Sequence, residues 1–254
     1  MTLKDKILLE ERSRAGTLAR VSKLYEESNS GTGKEDPRTL LDRVQESNPG
    51  FGERISAALD AGHEAVYDLT LRDIIDHIRL GHLDERVLEY DLDRMDANIR
   101  TISRKCRMFD RYMVPADSTP FVRAQIAGWI ACTVGRDLGL ELPDSVSMKG
   151  PSPGFRERMA AVLATKENEA ALSLTLHDVW DHAVLSVRGQ IVVAELYTDN
   201  LFPDIRRMAE AVSKECGVCR FCGRAAVVRW IARSMAQDLG PHTAPDPLAA
   251  FAMA

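Results

Sequence analysis

The sequence predicts an all-α protein built from two copies of one helical unit. Three observations support this: four sequence blocks occur twice, apolar residues recur at helical spacing, and no alternating strand pattern is present. The chain has 254 residues, of which 45% are hydrophobic and 28% are charged, and its formal net charge is −5. This composition is typical of globular proteins and argues against disorder.

Four blocks of sequence recur in the same order. They are residues 49–54, 69–77, 87–100 and 123–139, which recur as residues 153–158, 174–182, 193–206 and 224–240. The offsets lie between 101 and 106, and they drift slowly along the chain. We therefore predict a tandem duplication of a roughly 100-residue four-helix unit with pseudo-two-fold symmetry.

Each copy is expected to contain about four helices. The second helix begins at Thr70 or Thr175, and each threonine is followed three residues later by an aspartate, as in a capping box. The third helix covers roughly residues 86–110 in the first copy. In the second copy it covers roughly residues 192–215, with an interruption or restart near Pro203.

The fourth helix is amphipathic in both copies. Gly139 and Gly240 stand where a C′ glycine would end it. Its tryptophan, Trp129 or Trp230, is expected to pack in the core or between the copies. Near its start, an arginine recurs that is expected to form a buried ion pair with an aspartate of the other copy, while anion binding is the alternative. The residues concerned are Arg123 and Arg224, with Asp137 and Asp238 as partners.

The repeats and the composition divide the chain into four segments. A charged segment with one apolar side precedes the repeats, which predicts an N-terminal helix followed by a flexible linker. A Pro- and Ala-rich tail is expected to be loose. The predicted segments are residues 1–36, repeat 1 at 37–146, repeat 2 at 147–242, and the tail at 243–254.

The sequence also limits the location and the partners. The longest apolar runs are only a few residues long, so no membrane partner is expected. Residues 1–6 carry charges where a signal peptide is apolar, and five cysteines are too few for a secreted disulfide framework. We therefore expect a cytoplasmic protein. The negative net charge argues against nucleic acid, and a protein partner or a homo-oligomer is expected instead.

The sharpest functional signal is a C-x2-C-x2-C run formed by Cys216, Cys219 and Cys222. This spacing can direct three thiolates to one point, which predicts binding of zinc or of an iron–sulfur cluster. Zinc needs a fourth donor, for which Cys106 is the candidate and His182 an alternative. Only the second copy has this loop, which favours a specific role over a role in the shared fold.

Two other interpretations of the cysteine loop stay open. The three residues could act as a thiol redox switch, because the neighbouring Arg220 and Arg224 would stabilise thiolates. They could also simply pack as small side chains in a tight turn.

A second signal is duplicated and consists of metal-ligand residue types. Aspartate and histidine four residues apart share one helix face, and two copies with nearby glutamates could build a dinuclear centre that activates water or oxygen. In the structural interpretation, the aspartates of the capping boxes, Asp73 and Asp178, cap helices, and the histidines form hydrogen bonds between helices. The catalytic candidates are Asp76, His77, Glu89, Asp181, His182 and Glu195.

These patterns favour a cytoplasmic metal- or iron–sulfur-binding regulatory or adaptor protein that uses the cysteine loop. One alternative is a metal-dependent enzyme, a hydrolase or an oxygen-activating one, that uses the duplicated Asp, His and Glu residues. The other is a helical scaffold without a site.

Overall fold

The computed structural model describes residues 16, 19–23, 25, 37–81, 85–87, 89–108, 119–142, 152–165, 168–186, 198–219 and 222–239. Helices dominate this part of the chain, and no strand occurs within it. Its β-type pairing is an isolated antiparallel bridge between Thr70 and Thr175. The prediction of an all-α protein is confirmed.

The helices fall into two sets, which we call the first half (residues 37–146) and the second half (residues 147–242). The first half contains α1 (Pro37–Ser47), α2 (Phe51–Ala61), a 3₁₀ helix (His63–Asp68), α3 (Leu71–Gly81), a short 3₁₀ helix (Glu85–Val87), α4 (Leu92–Met108) and α5 (Thr119–Asp137). The second half contains α6 (Phe155–Thr165), α7 (Asn168–Ala171), α8 (Leu176–Ser186), α9 (Thr198–Cys216) and α10 (Gly223–Asp238).

Capping boxes start α3 and α8, as the sequence predicts. The Thr70 amide donates to Asp73 Oδ2 at 2.9 Å, and the Asp73 amide donates to Thr70 Oγ1 at 3.0 Å. The corresponding distances for Thr175 and Asp178 are 2.8 Å and 3.1 Å. Each box provides acceptors for two amides, one of them from the first turn, which otherwise has no partner within the helix.

The predicted third helices differ from the observed ones. In the first half the helix starts only at Leu92, after a separate 3₁₀ turn. In the second half α9 continues through Pro203, so the predicted interruption is wrong. The ring of Pro203 removes one backbone hydrogen bond close to the start of a 19-residue helix, and the remaining bonds sustain the helix.

The fourth helix of the first half ends as predicted. Gly139 has a φ of +71°, and the Leu140 amide donates to the Gly135 carbonyl at 2.8 Å. This bond is typical of a helix end closed by a left-handed C′ residue. Gly240 lies outside the described residues.

The last helix of each half packs against the other half. Helix α5 of the first half packs against α8, and α10 of the second half packs against α3. Next to the bridge, the Leu71 amide donates to the Leu174 carbonyl at 2.8 Å and the Leu176 amide to the Leu69 carbonyl at 3.2 Å. One hydrophobic cluster runs through both halves. Neither half therefore buries its apolar surface without the other.

The described residues of the N-terminal segment are helical, and Val21 and Tyr25 are buried there. The predicted linker before Pro37 and the predicted tail at 243–254 lie outside the described residues. Among the helices that the structure describes, none has the length and apolar character that a membrane crossing requires.

Candidate functional site

The cysteine loop connects α9 to α10 through a sharp reversal of the backbone. Gly217 follows the last residue of α9 and has a φ of +65°. Residues other than glycine rarely adopt this conformation. The Val218 amide then donates to the Ser213 carbonyl at 2.9 Å, which closes the end of α9. The reversal places Cys219 and Cys222 at the start of α10.

Two of the three thiols lie together. Cys219 Sγ and Cys222 Sγ are 3.1 Å apart, and the Cys222 amide donates to the Cys219 carbonyl at 3.1 Å. Cys219 is exposed, Cys222 is fully buried, and Cys216 is half-buried. The side chain of Cys106, the predicted fourth ligand, lies outside the described residues. In the part of the chain that the structure describes, no three His, Cys, Asp or Glu side chains converge to hold a metal ion.

The start of α10 is fixed tightly to α9. The Gly223 amide donates to Ser213 Oγ at 2.9 Å. A Cβ atom added at Gly223 would lie 1.9 Å from the Ala209 carbonyl oxygen, so no larger residue fits without moving the backbone. The cysteine loop is therefore anchored at both ends on α9.

The capping aspartates are also held by bidentate arginines. Arg54 donates through Nε and Nη2 to the two carboxylate oxygens of Asp73, both at 2.8 Å. Arg158 donates in the same way to Asp178, at 2.6 Å and 2.8 Å. Both carboxylates are fully buried. Since each is saturated by an arginine and by its cap, these aspartates serve the structure, as the structural interpretation predicts.

Asp76 and Asp181 have separate polar partners. Asn48 donates to Asp76 Oδ2 at 2.9 Å, and the Ser152 amide donates to Asp181 Oδ2 at 2.7 Å. Burial raises the pKa of both carboxyl groups, and these hydrogen bonds oppose it. Of the two glutamates, Glu89 is exposed and Glu195 lies outside the described residues.

His77 belongs to a network that connects three parts of the chain. Tyr25 Oη and His77 Nδ1 are hydrogen-bonded at 2.7 Å, and His77 Nε2 lies 3.5 Å from Asp137 Oδ2. The same oxygen accepts from Arg224 Nη1 at 2.6 Å. Because a carboxylate only accepts, His77 Nε2 is the donor toward Asp137. Burial alone would raise the pKa of Asp137, but the His77 hydrogen bond and the Arg224 charge outweigh it and lower that pKa.

His182 has a different environment from its counterpart His77. Its Nδ1 atom is buried and has no hydrogen-bond partner among the described residues. Burial and the nearby Arg123 charge lower the pKa of His182 to about 3, so the ring is neutral at pH 7. Within the described part of the chain, the two histidines thus lie in different environments, and neither belongs to a cluster of metal ligands.

The predicted exchange of ion pairs between the fourth helices is confirmed. Arg224 of α10 pairs with Asp137 of α5, and the fully buried Arg123 of α5 pairs with Asp238 of α10. Arg123 also donates to Ser234 Oγ at 2.8 Å. In each case an arginine near the start of one helix meets an aspartate at the end of the other, so α5 and α10 run antiparallel.

A cavity of about 220 Å³ lies beside the Arg224–Asp137 ion pair, between α5, α9 and α10. Trp129 forms part of its wall. Sequence reasoning missed this cavity and the contact of Tyr25 with His77. The repeated arginine and aspartate marked one edge of the cavity, but no pattern in the sequence indicates an empty volume.

Comparison with known proteins gives no relative: no family model, no curated protein and no solved structure matches this chain.

Proposed function

We propose that this chain is a regulatory protein whose cysteine loop switches between a dithiol and a disulfide and passes the change to α10. The observation that carries the proposal is the 3.1 Å separation of Cys219 Sγ and Cys222 Sγ. A disulfide has an S–S distance of about 2.0 Å, so closure requires a movement of about 1 Å.

The exposure of the two thiols indicates their order of reaction. Cys219 is exposed and can meet a disulfide oxidant, whereas Cys222 is buried behind it. The Cys219 thiolate attacks one sulfur of the oxidant and releases the other as a thiol. Cys222 then attacks Cys219 and releases the second thiol, so that two protein thiols and one disulfide become one protein disulfide and two thiols.

The contacts of the loop suggest how its state reaches the rest of the molecule. Gly223, the residue after Cys222, hydrogen-bonds to Ser213 of α9. Arg224, the next residue, pairs with Asp137 at the end of α5. A change of about 1 Å in the loop therefore acts on α9, α5 and α10 together. We propose that a protein partner, or a second copy of this chain, binds differently to the two states of the loop.

Metal binding by the same loop is the second candidate, favoured by three cysteines within seven residues. Zinc or an iron–sulfur cluster would take Cys216, Cys219 and Cys222, with Cys106 as fourth ligand. With Zn–S bonds of about 2.3 Å, tetrahedral thiolates lie about 3.8 Å apart, so the two close thiols would have to separate. Catalysis by Asp76, His77, Glu89, Asp181, His182 and Glu195 stays a prediction that no described contact favours.

We also propose that the two halves arose by duplication of one unit. Support comes from contacts that recur at the sequence offset: the capping boxes, the bidentate arginines and the exchanged ion pairs. A cytoplasmic location is part of the proposal, because a reducing compartment keeps the resting loop as a dithiol.

The test is oxidation of the reduced protein with oxidised glutathione, followed by disulfide mapping and hydrogen exchange by mass spectrometry. We expect a Cys219–Cys222 disulfide and altered exchange in α10. The Cys222→Ser variant should stop at a mixed disulfide on Cys219, and the Cys132→Ser control should behave like the parent. If Cys219 and Cys222 do not join, or if α10 exchanges at the same rate in both states, the redox proposal is wrong.

Elemental analysis of anaerobically purified protein separates the two candidates. A metal that is retained by the parent and lost from the Cys219→Ser variant would favour the metal site. Protein that contains no metal and shows no thiolate-to-metal absorption would exclude it.

A further inference from the structure

The cavity beside Arg224 is large enough for a small molecule. Its volume is about 220 Å³, and a cavity of about 150 Å³ accommodates benzene. The cavity is open to solvent, and its wall combines apolar and charged groups from α5, α9 and α10. The residues that matter to its chemistry are Trp129, Arg136, Asp137, Arg206, Glu210 and Arg224.

Of the three arginines around the cavity, one has no acidic partner among the described residues. Arg224 pairs with Asp137 at 2.6 Å, and Arg206 Nε pairs with Glu210 at 2.8 Å. Arg136, on the exposed last turn of α5, forms no ion pair in the part of the chain that the structure describes. Three guanidinium groups against two carboxylates leave a net charge of +1. The cavity therefore favours a negatively charged ligand.

Trp129 adds a second donor without a partner. Its counterpart Trp230 donates from Nε1 to Asp96 at 2.6 Å. The position that corresponds to Asp96 at the offset of 106 is Phe202, which offers no acceptor. Among the described residues, the Trp129 indole N–H forms no hydrogen bond. A ligand that accepts a hydrogen bond would satisfy this donor.

The second half also lacks a counterpart of the other unpaired donor, Arg136. Arg136 corresponds to Gln237 at the offset of 101, so the related surface of α10 lacks the additional charge. Among the described residues of α5 and α10, the unpaired indole N–H and the unpaired guanidinium occur together only on α5. A shared structural role would require them in both halves, whereas a site for a ligand requires them once.

We propose that this cavity binds a small organic anion, in which one carboxylate or phosphate group is attached to an apolar body. The oxyanion accepts from Arg136 and from the Trp129 indole, and the apolar body lies against Trp129 and Ala209. The proposal does not depend on the cysteine loop, although Arg224 connects the two places.

Calorimetric titration of the reduced protein tests the proposal with benzoate, phenyl phosphate, inorganic phosphate and the neutral benzamide. We expect saturable binding of benzoate or phenyl phosphate at millimolar concentration or below, and at least tenfold weaker binding of benzamide. Benzoate and phenyl phosphate distinguish the two anionic groups, and inorganic phosphate shows whether the apolar body matters.

Two variants locate the site. Arg136→Gln should weaken binding of the anion about tenfold, because a charge-assisted hydrogen bond is lost. Arg207→Gln is the matched control, since Arg207 is exposed on α9 and pairs with Asp204 instead of lining the cavity. Circular dichroism checks that both variants keep their helices. Benzamide binding as tightly as benzoate, an Arg136→Gln variant that binds like the parent, or no binding of either anion would overturn the proposal. If the Cys219→Ser variant still binds the anion, the proposed anion site is supported independently of the redox proposal.

Discussion

Arg224 donates to Asp137 at 2.6 Å and so connects the first residues of α10 to the last residue of α5. The arginine is buried and the aspartate side chain is 30% exposed. This ion pair lies two residues after Cys222, beside His77 and at the edge of the cavity. It is therefore the contact through which the two proposed sites meet.

Removing this ion pair should destabilise the fold. Arg224→Gln leaves the carboxylate of Asp137 half-buried with only His77 beside it, and we expect a loss of about 2 kcal/mol. The measurement is urea denaturation of both single variants and of the Arg224→Gln, Asp137→Asn double variant. The double variant should lose less than the sum of the single losses. As a control, Arg206→Gln removes an exposed ion pair and should cost less than about 0.5 kcal/mol. Additive losses would show that the two residues do not interact.

The capping boxes should contribute equally in both halves. Thr70→Ala and Thr175→Ala each remove the side-chain acceptor at the start of a helix, so each should lower the free energy of unfolding by about 1 kcal/mol. Thr101→Ala is the control, because Thr101 is exposed within α4 and its hydroxyl donates only to the Ala97 carbonyl. Thermal or urea denaturation gives the three values. A loss at Thr101 as large as at the caps would contradict the assignment.

Gly223 should tolerate no side chain. The added Cβ of Gly223→Ala would collide with the Ala209 carbonyl, so α9 and α10 must move apart, and we expect a loss of about 3 kcal/mol. Gly81→Ala is the matched control, since an added Cβ there meets no atom within 4 Å. Denaturation midpoints of the two variants decide the prediction. Equal midpoints would show that α10 does not approach α9 this closely.

Acidification should destabilise the protein through His182. Its pKa is about 3 in the folded protein and about 6.5 in the unfolded chain, so the unfolded chain takes up the proton first. The stability that comes from burying the neutral His182 ring is fully present above pH 6.5. It is lost progressively as the pH falls below 6.5. Between pH 7.5 and 5.5 this loss amounts to about 1.4 kcal/mol. Burial lowers the pKa of His63 too, which adds a loss in the same direction.

The His182→Asn variant isolates this effect. Its stability should fall less steeply between pH 7.5 and 5.5 than that of the parent. The remaining slope comes from His63 and from titrating groups at the surface. Urea denaturation at the two pH values measures both slopes. Identical slopes for variant and parent would mean that folding does not lower the pKa of His182.

Local features of the fold could be predicted from the sequence because neighbours along the chain produce them. The capping boxes at Thr70 and Thr175 need only residues three positions apart, and the turn at Gly139 needs only one glycine at a helix end. The exchanged ion pairs were predicted because Arg123 and Asp137 each occur twice. The prediction at Pro203 failed, since one lost hydrogen bond near a helix start is smaller than the packing that holds α9.

The sequence by itself determined the helical class, the recurring blocks and the chemistry available in the cysteine loop. Only the tertiary structure decided which groups meet. It placed Cys219 against Cys222, Tyr25 against His77, and an unpaired tryptophan and arginine around one cavity. The physical reason is that helices form from contacts within a few residues, whereas distances between side chains on different helices follow from how their surfaces pack.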